Sequence, residues 1–179
     1  MQAQAGEYAG GMAAWLLVIG DKEALGWVLA ERRMAFQQHR REQARRLQEG
    51  DSLLLYTTRG CFRNPTRDRG LVIAKAKVAS PVEVLDDPVE IAGRRFELGC
   101  EIAFDSLTPR GAGVVLAELV AELDAFPDPA SWSARMRRPL VALPSEDHEL
   151  ITARLTPQLR PAGKAIGEYL RLARPPRSV

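Results

Sequence analysis

Apolar positions along this chain fall into two rhythms, one with nearly every residue apolar and one with an apolar residue every three or four. The first appears in residues 13–20, a continuous apolar run that predicts a central strand covered on both faces. It returns after Gly50-Asp51, where Leu53, Leu54, Leu55 and Tyr56 predict a strand reaching Thr58, and again over residues 70–78. The segment joining these two strands is too long for a tight turn, so together they describe a small, strongly bent sheet with a loop at its mouth. That loop displays Arg59, Cys61, Phe62, Arg63, Asn64, Arg67 and Arg69. Loops held by a rigid scaffold are where binding groups concentrate.

The helical rhythm begins at Asp21, a suitable N-cap, from which Leu25, Val28, Leu29 and Arg32 continue a helix toward Met34. A basic amphipathic helix over residues 37–47 follows and is broken by Glu49-Gly50-Asp51. Beyond Ser80-Pro81, residues 82–85 and 89–91 alternate as strand segments around an Asp86-Asp87-Pro88 corner. Ala92-Gly93-Arg94-Arg95 reads as a hairpin turn into residues 96–107, where Phe96, Leu98, Cys100, Ile102 and Phe104 share a face. Val115, Leu116, Leu119, Val120 and Leu123 predict a short amphipathic helix, stopped by Phe126-Pro127-Asp128-Pro129. Ser131 then caps one or two turns through Met136, residues 139–143 form a brief strand, and Ser145 caps another helix. Residues 162–173 are either a docked helix with a frayed Pro-Pro end or part of a disordered basic arm.

The sum is α+β: five or six mostly antiparallel strands curled into a partial barrel, with inserted and C-terminal helices. The expected organisation is a leader over 1–11, a domain over 12–156, and a basic helix or tail over 157–179. At 179 residues the chain can bury a core without a disulfide or metal. Its 46% hydrophobic and 27% charged residues are those of an ordinary globular protein.

Charge matters through its distribution. The formal net charge is only +2, so no overall basic field commits the chain to nucleic acid. Between positions 31 and 69, however, ten arginines face five carboxylates, whereas the stretch 81–128 is acidic. The two cysteines, Cys61 and Cys100, are too few for a disulfide framework and lack metal-ligand spacing, which fits a reducing cytoplasm. The apolar run at 12–19 has neither the flanks of a signal peptide nor the length to cross a bilayer.

The order of a strand, a helix with a central Trp27, Gly50-Asp51, the run Leu53 to Tyr56, a loop, and then Gly70, Leu71, Val72 and Ile73 through Val78 resembles the EVE domain of the PUA-like superfamily. The likeness spans residues 15–143. The chain departs from that pattern after its first strand, and it carries an arginine-rich segment around Arg40 to Arg46 where the family has an Asn- and Arg-rich one. The resemblance implies a pocket that takes a nucleobase, often a modified one, into an aromatic cage beside a basic surface on RNA or DNA, with no cofactor and no metal.

Aromatic faces suit that task because stacking contributes roughly 1 to 3 kcal/mol per base with little geometric demand. The pocket so implied draws on Trp27, Tyr56, Thr57, Phe62, Asn64 and Trp132, with Arg59, Arg63, Arg67, Arg135, Arg137 and Arg138 toward phosphate. Phe36 and Trp15 complete the stock of large aromatics considered, Trp15 as a core residue. Each has a plainer reading: Trp27 and Tyr56 as core anchors, the loop as a solvated segment with its arginines paired to Asp68 and the acidic strands. Arg40, Arg41, Arg45 and Arg46 either track a phosphate backbone or form a solvated face.

Catalysis has little support in the sequence. His39 and His148 sit in no metal-ligand or nucleophile arrangement, and neither a Walker loop nor a dinucleotide fingerprint occurs. The alternative is a nucleotide-processing enzyme or metabolite-binding domain of the related ASCH type, for which Lys75, Lys77 and Glu101 are the available acid and base groups.

Overall fold

In the computed structural model the described residues are 11–173; the expected leader, apart from Gly11, and the Pro-Pro end of the tail lie outside them. Nine strands among the described residues form one mixed sheet. Its path joins β2 (Arg33–Phe36), β6 (Arg94–Leu107), β4 (Leu71–Val78), β3 (Ser52–Thr57), β1 (Ala14–Ile19) and β8 (Leu140–Leu143) in that order. β1 and β3 run parallel, with Ala14 opposite Ser52 and Ile19 opposite Thr57, and the other pairings are antiparallel.

The sheet curls because β6 serves two layers. Its C-terminal half pairs with β4, while its N-terminal half pairs with β2 on one side and with β5 (Glu83–Ile91) on the other. Register shifts between Leu55 and Tyr56 and between Lys75 and Ala76 add local bends of the kind that bulges produce. The result is a half-barrel with helices, the α+β architecture expected from the apolar pattern.

The continuous apolar runs are explained by a core on each face of the central strands. Trp15, Leu17, Ile19, Leu53 and Leu55 point into one core beneath α1 (Lys22–Glu31). Ala14, Leu16, Leu54 and Tyr56 point into the other, covered by residues 114–126 and, as α4, Ser145–Leu155. The helix α5 (Ala162–Ala173) docks on the first core through Ala165 and Tyr169, whose hydroxyl lies 3.2 Å from the Thr108 hydroxyl.

Gly50-Asp51 has a structural purpose. Gly50 takes φ of +92°, and the buried Asp51 carboxylate accepts from the Ala13 amide at 3.0 Å, the Trp15 indole at 2.9 Å and the Gln48 amide at 2.9 Å. Three donors on one carboxylate satisfy groups that would otherwise be buried without partners. Asp51 thereby joins the start of β1 to the start of β3.

Several elements differ from the sequence expectation. The helix after β1 ends at Glu31 because Arg32 turns left-handed, and residues 33–36 alternate in burial as β2. The basic helix over 37–47 reduces to a 3₁₀ turn (Gln38–Arg40) and a single α turn, α2 (Arg41–Ala44). Residues 114–123 are a two-residue strand, β7 (Val114–Val115), and two 3₁₀ turns, held by the buried Asp147 carboxylate accepting from the Asp124 and Ala125 amides. Asp128, rather than Ser131, accepts the capping hydrogen bond that precedes α3 (Trp132–Arg135), and Pro144 rather than Ser145 holds the N-cap position of α4. Short β9 (Arg160–Pro161) pairs with the end of β6.

Candidate nucleic-acid interface

Because β1 and β3 are parallel, their C-terminal ends open on the same edge of the sheet. The Thr58 amide donates to the Ile19 carbonyl at 3.0 Å, and the Val18 amide donates to the Pro139 carbonyl at 2.9 Å, which brings residues 136–139 to that edge. α1 starts at the same place, with Asp21 Oδ1 accepting from the Glu23 amide at 2.7 Å. β2 and the first residues of β6 close the far side. Between them lies a hollow of about 350 Å³.

Its lining combines two half-buried aromatic residues, Trp27 and Phe96, and the core residue Phe36 with four arginines, Arg40, Arg94, Arg137 and Arg138. None of these four guanidinium groups joins an ion pair among the described residues. Asp21 is the one carboxylate in the lining, and Arg63 approaches its Oδ2 at 4.0 Å. A small apolar cleft with uncommitted cations and one acceptor suits a flat ligand attached to an anionic chain.

The loop after β3 links this hollow to a second one. Thr58 lines the first, whereas Thr57, Phe62, Arg67 and Asp68 line a second space of about 560 Å³ with Arg69, Arg110 and Gln158. Cys61, displayed in the sequence reading, is wholly buried in the core beneath the loop, and Phe62 is half-buried. Arg63, at φ of +61°, reaches from the loop to Glu23 at 3.5 Å and so ties it to the start of α1. Arg59 donates to the Pro65 carbonyl within the loop, and Asn64 accepts from Thr66.

The sequence-predicted site residues therefore divide into separate groups. Trp27, Arg137 and Arg138 meet at the first hollow; Thr57, Phe62 and Arg67 meet at the second. Tyr56 and Trp132 line neither. They pack edge to face at 6.5 Å in the second core, with Phe126 against Trp132 at 6.0 Å. Gly70 is required beneath Tyr56, because the phenol oxygen fills the place a Cβ would take. Asn64, Arg59, Arg63 and Arg135 line neither hollow. Trp15 is a core residue, its ring 5.1 Å from the Arg46 guanidinium.

Sequence reasoning assigned Phe96 to a strand face, Arg94 to a turn and Asp21 to a cap. Their place at the first hollow follows from the hairpin of β5 and β6 returning to the edge of β1. The Ala92-Gly93 tip, with φ of +50° and +74°, was the available signal.

The titratable groups fit this layout. Burial, with Asp21 and Asp68 adding repulsion, pushes the Cys61 thiol up to about 12, and burial raises Cys100 likewise, also to about 12, against the opposing pull of Arg33. Burial lifts the Tyr56 phenol to about 12 despite the opposing pull of Arg59. Burial and then Lys75 lower His148 to about 4. Lys75 stands opposite Ser106, five residues along β6 from Glu101, while the exposed Lys77 is only a diagonal neighbour of Glu101 and forms no ion pair with it. None of the three lines either hollow. Among the described residues no group of three His, Cys, Asp or Glu side chains could hold a metal ion, and no helix is long and apolar enough to cross a membrane.

No family model matches the chain, and no curated protein matches it significantly. Solved structures do. A hypothetical protein from Leishmania major superposes with a TM-score of 0.54 at 14% identity over 84% of this chain and 99% of that one. The DUF55 domain of human thymocyte nuclear protein 1 superposes with a TM-score of 0.51 at 13% identity, covering 79% of this chain and 98% of the domain.

The fold is PUA-like. A further structure with this PUA-like architecture, human THYN1 protein in complex with DNA containing 5-methylcytosine, matches at a TM-score of 0.50 and 10% identity over 79% of this chain and 96% of that one. At these identities the likeness is one of PUA-like architecture.

Proposed function

We propose that the chain is a non-enzymatic EVE-type reader that takes a nucleobase, in modified form, from RNA or DNA into the hollow at the ends of β1 and β3. The observation that carries this reading is the combination of the half-buried rings of Trp27 and Phe96, backed by the core residue Phe36, with four guanidinium groups free of ion pairs among the described residues. The aromatic walls supply stacking and the arginines supply phosphate contacts, the two requirements of single-base capture. The PUA-like architecture shared with a protein seen on DNA containing 5-methylcytosine supports the same reading.

In this arrangement Asp21 Oδ2, which Arg63 approaches at 4.0 Å, accepts from an amino group at the base edge. Arg137 and Arg138 hold the backbone on one side of the hollow, and Arg94 holds it on the other. Arg40 continues the basic track toward Arg41, Arg45 and Arg46.

The test is fluorescence anisotropy with labelled RNA and DNA oligonucleotides, bearing plain or modified bases, across a salt series. A reader that neutralises several phosphates loses affinity steeply, with a logarithmic slope of about −0.7 to −0.9 per contact. Binding to at least one oligonucleotide with such a slope, abolished by Arg137→Ala with Arg138→Ala, is the expected result. No binding to any member at low salt would sink the reading.

A further inference from the structure

The second hollow has a chemistry of its own. At about 560 Å³ it lies beside the loop that separates it from the first, and its polar groups are of two opposite kinds. Arg67 and Arg110 carry guanidinium groups outside any ion pair among the described residues, and Arg69 pairs only with the exposed Glu118. Set among them is Asp68, whose Oδ2 is buried and accepts no hydrogen bond. An acceptor left in that state costs about 1 to 3 kcal/mol, a cost removed when a donor reaches it.

The apolar side of the same space is the half-buried ring of Phe62. Its opposite side is the turn at residues 109–113, fixed by the Arg110 amide donating to Glu168 and the Gly113 amide donating to Gln158 at 2.9 Å. Gly113 takes φ of +146°, and a Cβ there would lie 2.6 Å from the Val72 carbonyl, so the turn sits tightly on β4. The walls are thus built before any ligand arrives.

Three requirements follow for an occupant: an anionic group for the arginines, a hydroxyl or amino donor for Asp68, and a flat face for Phe62. A lone phosphate meets only the first, and an aromatic hydrocarbon meets only the last. We propose that this hollow is a second binding site, for a nucleoside monophosphate unit, whose phosphate meets Arg67 and Arg110 and whose sugar hydroxyls or base amino group meet Asp68. The unit comes either from a free mononucleotide or from a nucleotide flanking the base held in the first hollow. The site rests on its own residues and stands whether or not the first hollow reads a base.

Calorimetry and amide NMR on the full chain, with nucleoside 5′-monophosphates as probes, test this directly. Binding should persist in Trp27→Ala with Arg138→Ala, which disables the first hollow, and should shift the amides of Gly111 and Gly113 while leaving Gln37 unmoved. Arg67→Ala with Arg110→Ala should weaken it about tenfold or more, and Asp68→Asn should weaken it at a half-buried loop position, with folding checked by thermal melting. The parent nucleosides and inorganic phosphate should each bind about tenfold less tightly than the nucleotide. Tighter binding of a dinucleotide identifies the strand as the source, and equal binding identifies the free nucleotide. Inorganic phosphate binding as tightly as the nucleotide, or nucleotide binding lost with the first hollow and indifferent to Arg67, Arg110 and Asp68, would overturn the assignment.

Discussion

The two hollows on either side of the loop after β3 use the same cation in different settings. In the first, guanidinium groups surround a cleft walled by two half-buried rings, with Asp21 already engaged by the Glu23 amide. In the second, they surround a carboxylate with an unused buried oxygen and a single half-buried ring. Arginine content alone therefore says little about what a surface binds. The neighbouring groups decide, through stacking area in one case and an unsatisfied acceptor in the other.

The strongest way to break the comparison is to remove what both share. Asp51→Ala orphans three donors at the start of β1 and β3, and we expect a loss of about 3 kcal/mol or more in urea unfolding, with both hollows affected together. Selective damage comes next. Trp27→Ala should cost roughly 1 to 3 kcal/mol in oligonucleotide affinity, while Tyr56→Phe, altered in the opposite core, should leave affinity unchanged. Equal losses from both would mean that the hollow does not hold the base. Each of Arg137→Ala and Arg138→Ala should reduce the salt slope by about 1 if it meets phosphate.

Smaller effects probe the loop and the far core. Cys61 and Cys100, buried and with thiols pushed up to about 12, should resist an aromatic disulfide reagent until denaturant is added; rapid labelling of Cys61 would show that the partition between the hollows opens. His148 is held neutral down to about 4, below its ordinary 6.5. The unfolded chain takes up a proton between these values that the folded chain refuses, so stability falls as pH drops from 6.5 toward 4. A His148→Gln variant should flatten that slope in urea midpoints taken across the window.

Much of the scaffold was legible in the residues. The unbroken apolar runs before Gly20 and after Asp51 foretold strands covered twice, and Gly50-Asp51 marked a strand start because a positive φ and a buried acceptor leave a recognisable pair. Residues 162–173 carried a helical rhythm, and the structure docks that helix. Met34 was read as the end of a helix because an apolar residue at that spacing satisfies either rhythm, and only pairing with β6 decides for a strand. Residues 115–123 misled for a related reason. Apolar spacing of three and four also fits successive 3₁₀ turns, here selected by the Asp147 carboxylate from a distant helix.

The site was legible in its residue types and obscure in their grouping. Trp27 with Arg137 and Arg138, and Phe62 with Arg67, could be singled out from residue type; their separation into two hollows could not.

By itself, then, the sequence determined the central strands and the first and last helices, which of their faces must be buried, and that arginines cluster near one loop. Those properties depend on local propensity and on the alternation of apolar and polar side chains, which adjacent residues carry between them. The tertiary structure alone decided that Arg94 and Phe96 stand beside Trp27, that Tyr56 turns away into another core, and that Asp68 keeps an oxygen without a donor. Such placements come from strand register and sheet curvature, where residues separated by tens of positions are brought together by the closure of the barrel.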